Sequence, residues 1–290
     1  MRILVTGANG MLGTDLCREL EAAGYDFLVT DIDNMDVRDP EQIRGVFESF
    51  RPEHVFHLAA MTDVDFCEQA PEQAYKTNSV GTQLIALACQ NADIPMTYIS
   101  TISVFDGSKP TPYTEFDLPN PQSWYSRAKY EGEKIVEKLL QRYFIVRAGW
   151  MFGGGVEDKK FVAKIIELAR TRPQLKIVND KFGSPTYTRD FSKAILRMQQ
   201  SGLYGLYHAV NLGEPVSRYA FAQKIIQLAG IEGCSLLPVS SDEFPLPAPR
   251  PNMEAARNLH AELLNLQIMR PWEEALSEYI RTTLLTYDKG

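Results

Sequence analysis

The sequence has little of what metal-binding and disulfide-rich proteins require. Its 290 residues include only 4 cysteines and 4 histidines. The cysteines have neither the spacing of metal ligands nor that of a disulfide framework; they are Cys17, Cys67, Cys89 and Cys234. We therefore expect reduced structural thiols and no metal site.

Long apolar runs and basic clusters are also absent from the sequence. No uncharged apolar stretch reaches the roughly 20 residues that a membrane-spanning helix needs. A net charge of -7, without a basic patch, argues against nucleic acid or an anionic membrane as the main partner. Met1 leads directly into a strand pattern rather than into a signal peptide, so we expect a cytoplasmic protein.

A glycine-rich turn stands at the beginning of the chain. Residues 3–13 read Ile-Leu-Val-Thr-Gly-Ala-Asn-Gly-Met-Leu-Gly: a short apolar strand, a turn, and the start of an amphipathic helix. Glycine accepts positive φ and has no Cβ that would hold a phosphate away from backbone N–H groups. The free N–H groups and the dipole at a helix start favour an anion. The pattern predicts a dinucleotide pyrophosphate over Gly7, Gly10 and Gly13, near the N–H groups of Met11 and Leu12.

Strand and helix patterns alternate after this turn. The predicted elements are a strand at Asp26 to Thr30, a helix at Pro40 to Phe50, a strand at His54 to Leu58, a helix from about Pro71 to Asn91 and a strand at Pro95 to Ser100. Alternation of this kind predicts an α/β fold with a doubly wound parallel Rossmann sheet. We expect a dinucleotide-binding domain at 1–150 and a smaller C-terminal substrate-binding α/β lobe at 151–290, partly interleaved with the sheet.

Two residues of these strands bear on cofactor chemistry. Asp31 ends the second strand, where a carboxylate can accept hydrogen bonds from an adenosine ribose and thereby favour NAD(H). Alternatively, Asp31 is an ordinary turn residue at the end of the strand. An adjacent arginine would favour NADP(H), and the nearest one is Arg38. His57 lies inside the third strand, and we interpret it as a packed core histidine rather than a base.

Tyr125 and Lys129 form a Tyr-x-x-x-Lys motif in a helical pattern that continues to about Gln141. Residues i and i+4 share one helix face, so a cation lies near a phenol. A free tyrosine, with a pKa of about 10, is a poor acid at neutral pH, and a nearby ammonium lowers that pKa. Strand four ends at Ser100-Thr101, and chemistry in open parallel sheets is expected beyond the carboxyl ends of strands. Thr101, Tyr125 and Lys129 are therefore the candidate catalytic residues.

At this point the sequence resembles the extended short-chain dehydrogenase/reductases, and among them the dTDP-4-dehydrorhamnose reductases. The resemblance covers nearly the whole chain. Its motifs are Thr-Gly-Ala-Asn-Gly-Met-Leu-Gly at 6–13, Ala-Ala-Met-Thr-Asp-Val-Asp at 59–65, Ser-Thr-x-x-Val-Phe-Asp-Gly at 100–107, Tyr-Ser-Arg-Ala-Lys at 125–129, Arg-Ala-Gly-Trp-Met-Phe-Gly at 147–153, Phe-Gly-Ser-Pro-Thr-Tyr-Thr at 182–188, Arg-Pro at 250–251 and Met-Arg-Pro-Trp-Glu-Glu-Ala-Leu at 269–276.

The resemblance implies an NAD(P)H-dependent oxidoreductase that reduces the 4-keto group of a dTDP-linked 6-deoxy sugar during dTDP-rhamnose biosynthesis. It makes Tyr125 the proton donor, Lys129 its pKa-lowering neighbour and a ribose ligand, and Thr101 the hydroxyl that orients the carbonyl. The candidate substrate-binding residues are Thr62, Val64, Thr101, Tyr125, Trp150 and Arg250. Arg250 would contact the diphosphate, whereas a core role for Trp150 is equally open. The resemblance also allows a homodimer.

The candidate residues for binding NAD(H) or NADP(H) extend over the first half of the chain. They are Gly7, Gly10, Met11, Leu12, Gly13, Asp31, Asp36, Val37, Ala59, Ala60, Asn78, Tyr125 and Lys129.

The chain departs from the family pattern at two places. The family usually has Ser-Thr-Asp-Tyr-Val-Phe-Asp-Gly after strand four, and here Ile102-Ser103 replaces the Asp-Tyr pair. The usual Ser-x-Leu-Asp pattern after Arg250-Pro251 is replaced by Glu254-Ala255-Ala256-Arg257. An acid and a phenol are thus lost beside the expected substrate.

These departures leave other functions open. A nucleotide-sugar epimerase on the same fold would tolerate Ile102-Ser103. A 4,6-dehydratase is disfavoured because its acidic pair after the threonine is absent. A non-catalytic NAD(P)-binding regulatory subunit, like the beta subunit of methionine adenosyltransferase, is a third alternative, although Thr101, Tyr125 and Lys129 argue against it.

Overall fold

The central sheet carries the elements that position the candidate site. The computed structural model describes residues 1–155, 158 and 160–284. The strands of this sheet are β1 (Arg2–Thr6), β2 (Asp26–Thr30), β3 (His54–His57), β4 (Met96–Thr101), β5 (Tyr143–Ala148) and β10 (Gly205–His208). They lie in the order β10-β5-β4-β3-β1-β2, and all neighbours are parallel. The predicted doubly wound parallel sheet is confirmed.

Helices cover both faces of the sheet. One face packs against α1 (Met11–Ala22) and α8 (Thr188–Ser201), and the other against α2 (Pro40–Phe50), α5 (Thr82–Ala92) and α6 (Trp124–Leu139). Successive strand residues point to opposite faces, so Ile3 and Val5 join the first core whereas Leu4 joins the second. Burial on both faces explains why the strands are apolar runs rather than alternating patterns.

The chain reverses direction of winding beside β1. It passes from β1 to β2 on one side and then returns to β3 on the other. In open α/β sheets, ligands bind outside the carboxyl ends of the strands at such a switch point. The glycine-rich turn after β1 and the residues after β3 lie there.

A π-helical segment (Lys76–Gly81) interrupts the helix predicted from about Pro71 to Asn91. The structure has α3 (Val64–Gln69), α4 (Pro71–Tyr75), the π segment and then α5. The sequence prediction of one continuous helix was therefore too simple. Short π segments occur often at functional sites, and this one carries Asn78.

The remaining elements build a smaller lobe with its own apolar core. They are β6 (Trp150–Phe152), α7 (Phe161–Thr171), β7 (Gln174–Val178), β8 (Phe182–Gly183), β9 (Pro185–Tyr187), β11 (Val216–Ser217), α9 (Arg218–Ala229), β12 (Ser235–Val239), β13 (Met253–Glu254) and α11 (Trp272–Tyr279). Phe152, Val162, Phe221 and Leu276 lie in this core. In contrast, α10 (Leu259–Leu263) packs against β10, and its Ala261 lies in the core of the central sheet. Residues 285–290 of the predicted lobe lie outside the described residues. Among the described residues, no helix is long and apolar enough to cross a membrane.

Candidate active site

The three glycines of the first turn have different roles. Gly7 has φ +69°, and a Cβ there would lie 2.6 Å from the backbone nitrogen of Ala59. A Cβ at Gly13 would lie 2.4 Å from the carbonyl oxygen of Ala8. A Cβ at Gly10 would instead meet only the oxygen of Gly7, at 3.5 Å. The protein itself therefore requires glycine at 7 and 13, whereas the surface at Gly10 is open to a ligand.

The start of α1 offers unpaired donors beside Gly10. Gly10 is the N-cap, and none of the described side chains caps the helix. The N–H groups of the first turn, including those of Met11 and Leu12, have no acceptors within the helix. A Cβ-free surface and free donors at a dipole's positive end fit a dinucleotide pyrophosphate.

Asp31 holds the glycine turn in place. Its Oδ2 accepts a hydrogen bond from the Asn9 N–H at 2.9 Å, and its Oδ1 accepts one from the Ile32 N–H at 2.8 Å. Each oxygen keeps acceptor capacity for a ribose hydroxyl. The carboxylate thus lies at the turn, as the coenzyme prediction requires.

Arg38 is committed to Asp36. Its Nε and Nη2 donate to the two carboxylate oxygens of Asp36 at 2.8 and 2.6 Å. These bonds hold the pKa of Asp36 below its usual range. The neighbouring Val37 buries its side chain in the core. Arg38 is therefore not a free cation that could compensate for Asp31 at a 2′-phosphate.

Asn78 positions the segment after β3. Its Oδ1 accepts from the Met61 N–H at 2.8 Å, and its Nδ2 donates to the Met61 carbonyl at 3.0 Å. The side chain is fully buried. In this structure Asn78 fixes the loop that carries Ala59 and Ala60, and both of its polar atoms are already bonded.

Tyr125 and Thr101 lie together at the carboxyl end of β4. Burial raises the pKa of Tyr125 far above its usual value, and a hydrogen bond with Thr101 acts in the opposite direction. The side chain packs against the buried cluster of Cys67, Ala74 and Ala128. The lowered phenol pKa that the sequence predicts is not found in this structure, because burial outweighs the hydrogen bond.

The Lys129 amine is buried, and for this reason it does little to stabilise a phenolate on Tyr125. The side chain of Lys129 is 3% exposed, and burial lowers its pKa to about 7 despite the opposing charge of Glu133. At neutral pH this amine is therefore only partly charged. No acceptor among the described residues bonds to its Nζ, which leaves the donor available to a ligand.

His57 is a core residue, as predicted. Its Nδ1 and Nε2 pair with the hydroxyls of Thr6 and Thr82 at 2.8 and 3.1 Å. Burial lowers the pKa of His57 to about 3, so the ring is neutral. It therefore serves packing, not proton transfer.

Arg250 lies against the segment that carries Thr62 and Val64. Its Nη2 is 2.9 Å from Asp65 Oδ1, and its Nη1 donates to the Ala248 carbonyl at 3.0 Å. The proline-rich run before it is thus tied to the start of α3. This places three of the predicted substrate residues on one side of the cleft.

Trp150 does not present an open ring face. The guanidinium carbon of Arg218 lies 3.4 Å from its ring centroid. A Cβ on Gly183 would lie 2.3 Å from its Cε2, so backbone covers the ring as well. Stacking of Trp150 on a sugar, one meaning of the predicted contact, is therefore blocked.

Glu254 is a site residue that sequence reasoning missed. Its carboxylate accepts hydrogen bonds from the hydroxyl of Ser103 and from Trp150 Nε1, the latter at 3.0 Å. Its charge also contributes to the raised pKa of Tyr125, so the two groups share one cleft. The signal was present in the sequence, because Ser103 and Glu254 are the two places where the family pattern is broken.

Residues 1–285 match the family model described as the RmlD substrate binding domain. The spore coat polysaccharide biosynthesis protein SpsK of Bacillus subtilis is 35% identical over 280 residues, which cover 97% of each chain. A dTDP-4-dehydrorhamnose reductase of Mycobacterium tuberculosis is 34% identical over 281 residues, covering 95% of this chain and 91% of the relative.

Solved structures agree with these relatives. A dTDP-4-dehydrorhamnose reductase from Clostridium acetobutylicum superposes with a TM-score of 0.94 at 38% identity, covering 99% of this chain and 100% of the other. The Bacillus anthracis reductase, solved in complex with NADP, has a TM-score of 0.93 at 36% identity and covers 97% of this chain and 99% of its own.

Proposed function

The chain belongs to the RmlD substrate binding domain family, and from this premise we propose that it uses NADH or NADPH to reduce the 4-keto group of a nucleotide-linked 6-deoxy sugar. Relatives of nearly equal length are named as reductases of this kind, and one was solved with NADP. The protein is accordingly an oxidoreductase with a nucleotide-sugar substrate.

The observation that carries this function is the position of Thr101, Tyr125 and Lys129. Thr101 is the last residue of β4, the Tyr125 phenol interacts with its hydroxyl, and the Lys129 amine lies over the ring of Tyr98 in the same strand. The glycine turn at the switch point is near this end of the sheet. A dinucleotide bound at that turn and a carbonyl beside Tyr125 would therefore meet in one cleft.

A bound reduced nicotinamide supplies the hydride. Tyr125 donates its phenolic proton to the oxygen of the former carbonyl, and Thr101 orients that oxygen by a hydrogen bond. Lys129 directs its Nζ protons to the ribose hydroxyls. A cation on Lys129 would also stabilise the phenolate that remains after proton transfer.

We extend the proposal to the division of labour along the chain. Residues 1–150 bind the dinucleotide, and residues 151–290 provide most of the sugar side. Thr62, Val64 and Arg250 lie at one wall of the cleft, with Arg250 directed to the diphosphate. A homodimer and a cytoplasmic location remain predictions.

The test is incubation with a dTDP-4-keto-6-deoxy sugar and NADH or NADPH, followed by nicotinamide absorbance. We expect stoichiometric oxidation of the coenzyme and formation of the 4-hydroxy sugar. An epimerase would interconvert sugar isomers without net coenzyme oxidation. A regulatory subunit would bind coenzyme and convert no sugar at all.

A further inference from the structure

The carboxylate of Glu254 is buried, and no cation among the described residues is bonded to it. Glu254 is 9% exposed and lies in β13, opposite Gly183 of β8. Its hydrogen-bond donors, Ser103 and Trp150, are both neutral. Burying a charge of this kind destabilises the folded protein. A ligand that completes the hydrogen bonding of the carboxylate would offset this cost when it binds.

The charge of Arg218 acts on Glu254, but the described residues show no hydrogen bond or ion pair between the two side chains. The Arg218 guanidinium stacks on Trp150, with the carbon 3.4 Å from the ring centroid, and lies 4.9 Å from the Phe161 centroid. Arg218 and the backbone of Gly183 therefore clamp the indole, whose N–H is aimed at Glu254. The carboxylate is held in a fixed orientation by a rigid donor.

The fixed carboxylate retains room for further donors. Two carboxylate oxygens offer about four lone-pair positions, and two of them are used by Ser103 and Trp150. The Ser103 N–H in turn bonds to the Thr101 hydroxyl oxygen at 3.1 Å. Ser103 thus bonds to Glu254 through its hydroxyl and, through its N–H, to the residue expected to orient the carbonyl.

The position of this acid is particular to the chain. The acid that the family pattern has directly after Thr101 is absent, and an acid has appeared at 254. Because Ser103 bonds to Glu254, the two departures from the pattern meet in space. The cleft therefore still contains a carboxylate, but this carboxylate is supplied by β13 instead of by the segment after β4.

We propose that Glu254 accepts a hydrogen bond from a ring hydroxyl of the sugar beside the keto carbon, and so helps to determine which nucleotide-sugar is reduced. This inference rests on the proposed function. Trp150 and Ser103 are positioning residues for the carboxylate, and the sugar meets Glu254 rather than the face of the indole.

The test combines Glu254→Gln with substrates that lack single hydroxyls. The amide keeps the shape of the side chain and can still bond to Ser103 and Trp150, but it loses the charge. With the complete 4-keto-6-deoxy sugar we expect kcat/KM to fall about 10- to 100-fold, the range for a hydrogen bond to a charged group. With the 3-deoxy analogue, which lacks the hydroxyl beside the keto carbon, the variant and the parent should become equal, whereas the 2-deoxy analogue should keep the full difference between them.

Equal penalties on every analogue would overturn the proposal and show that Glu254 acts through Trp150 or Tyr125. Glu243→Gln is the matched control. Glu243 is an exposed carboxylate outside the cleft, and its Oε2 lies 2.8 Å from the Nζ of Lys176. Coenzyme affinity should be unchanged in both variants, and thermal unfolding should show that both remain folded.

A binding measurement tests the role of Glu254 independently of the proposed reductase activity. Calorimetry with dTDP and with the dTDP-linked 4-hydroxy sugar measures the contribution of the sugar without turnover. The parent should bind the nucleotide-sugar more tightly than dTDP, and Glu254→Gln should lose most of that difference. If the parent converts no keto sugar but this difference persists, the reductase proposal fails and the role of Glu254 stands; no difference in the parent refutes that role.

Discussion

The Nζ of Lys129 lies 4.1 Å from the centroid of the Tyr98 ring, and the Tyr98 hydroxyl donates to the Lys129 carbonyl at 3.1 Å. The amine is thus held over an aromatic face in the interior, not in an ion pair with a carboxylate. Burial lowers its pKa from 10.5 to about 7. Folding of the ligand-free protein therefore favours the neutral form of Lys129 over the charged form.

This relationship predicts how stability depends on pH. Between pH 7 and 10.5 the unfolded chain binds a proton at Lys129 that the folded chain does not, so the free energy of unfolding rises with pH in that range. The slope for one such group is at most about 1.4 kcal/mol per pH unit. Lys129→Met should lack this contribution and should be more stable than the parent near pH 7.

Urea unfolding of both proteins without coenzyme, from about pH 6 to 10, measures the difference. The parent should gain stability relative to Lys129→Met as the pH rises. The same variant should bind coenzyme more weakly and turn over more slowly, since it has lost a donor. A stability difference that does not change with pH would mean that Lys129 titrates near its ordinary value.

Gly10→Val should fold but lose dinucleotide binding. The backbone at Gly10 has φ -77° and ψ 171°, an extended conformation that valine adopts readily. Only the Gly7 oxygen, at 3.5 Å, would contact the new Cβ. The added methyl groups would occupy the surface where the pyrophosphate approaches the N–H groups of α1. Coenzyme titration by calorimetry and a thermal unfolding curve measure the two effects.

Gly45→Val is the matched control for this substitution. Gly45 lies inside α2, and a Cβ there has no neighbour within 4 Å. That variant should bind coenzyme like the parent. Unchanged dinucleotide affinity in folded Gly10→Val would place the pyrophosphate elsewhere.

Asp31 should make NADH at least as good a coenzyme as NADPH. Its carboxylate would repel a 2′-phosphate, and Arg38 is already bonded to Asp36. Asp31→Asn keeps an oxygen for the Asn9 N–H but removes the charge. The ratio of kcat/KM for NADPH to that for NADH should then rise roughly tenfold, as expected for loss of a like-charge contact.

Asp33→Asn, at an exposed neighbouring position, should leave the coenzyme ratio unchanged. A strong NADPH preference in the parent protein would show that Arg38 leaves Asp36 when coenzyme binds. Steady-state constants with both coenzymes decide between these outcomes.

Local patterns sufficed for the sheet and the first turn. β2 and α2 have the bounds that the sequence predicts, because β-branched runs and an Asp39 cap with Pro40 are local signals. The π segment around Asn78 was not predictable, since it depends on a contact with Met61 that forms only in the folded chain.

The candidate site was predicted less completely than the fold. Motif spacing made Thr101, Tyr125 and Lys129 the candidates, but it could not predict the burial that shifts the pKa values of Tyr125 and Lys129. Glu254 lies far from Ser103 in sequence, and long-range pairings, of β13 with β8 and of Ala256 with Tyr113, help to bring the two segments together. The Trp150 ring is covered by Arg218 and Gly183. These residues are distant from Trp150 in sequence, so no local pattern could predict that coverage.

Tyr125→Phe is the most direct test of the proposed chemistry. The ring would still pack against the buried cluster of Cys67, Ala74 and Ala128, so the variant should fold and bind coenzyme. The proton that Tyr125 gives to the developing alkoxide would be missing. Turnover should therefore fall roughly 10²- to 10⁴-fold, the range for loss of a general acid.

Tyr130→Phe provides the control, because Tyr130 lies on the same helix α6 and packs in a different apolar cluster. It should keep parental turnover. Single-turnover reduction of a verified keto sugar, with coenzyme affinity measured separately, distinguishes lost chemistry from lost binding. The substrate carbonyl needs a proton as hydride arrives, and burial keeps the Tyr125 phenol protonated in the ligand-free protein. A parental rate in Tyr125→Phe would mean that another group supplies that proton, and the phenol would then be structural.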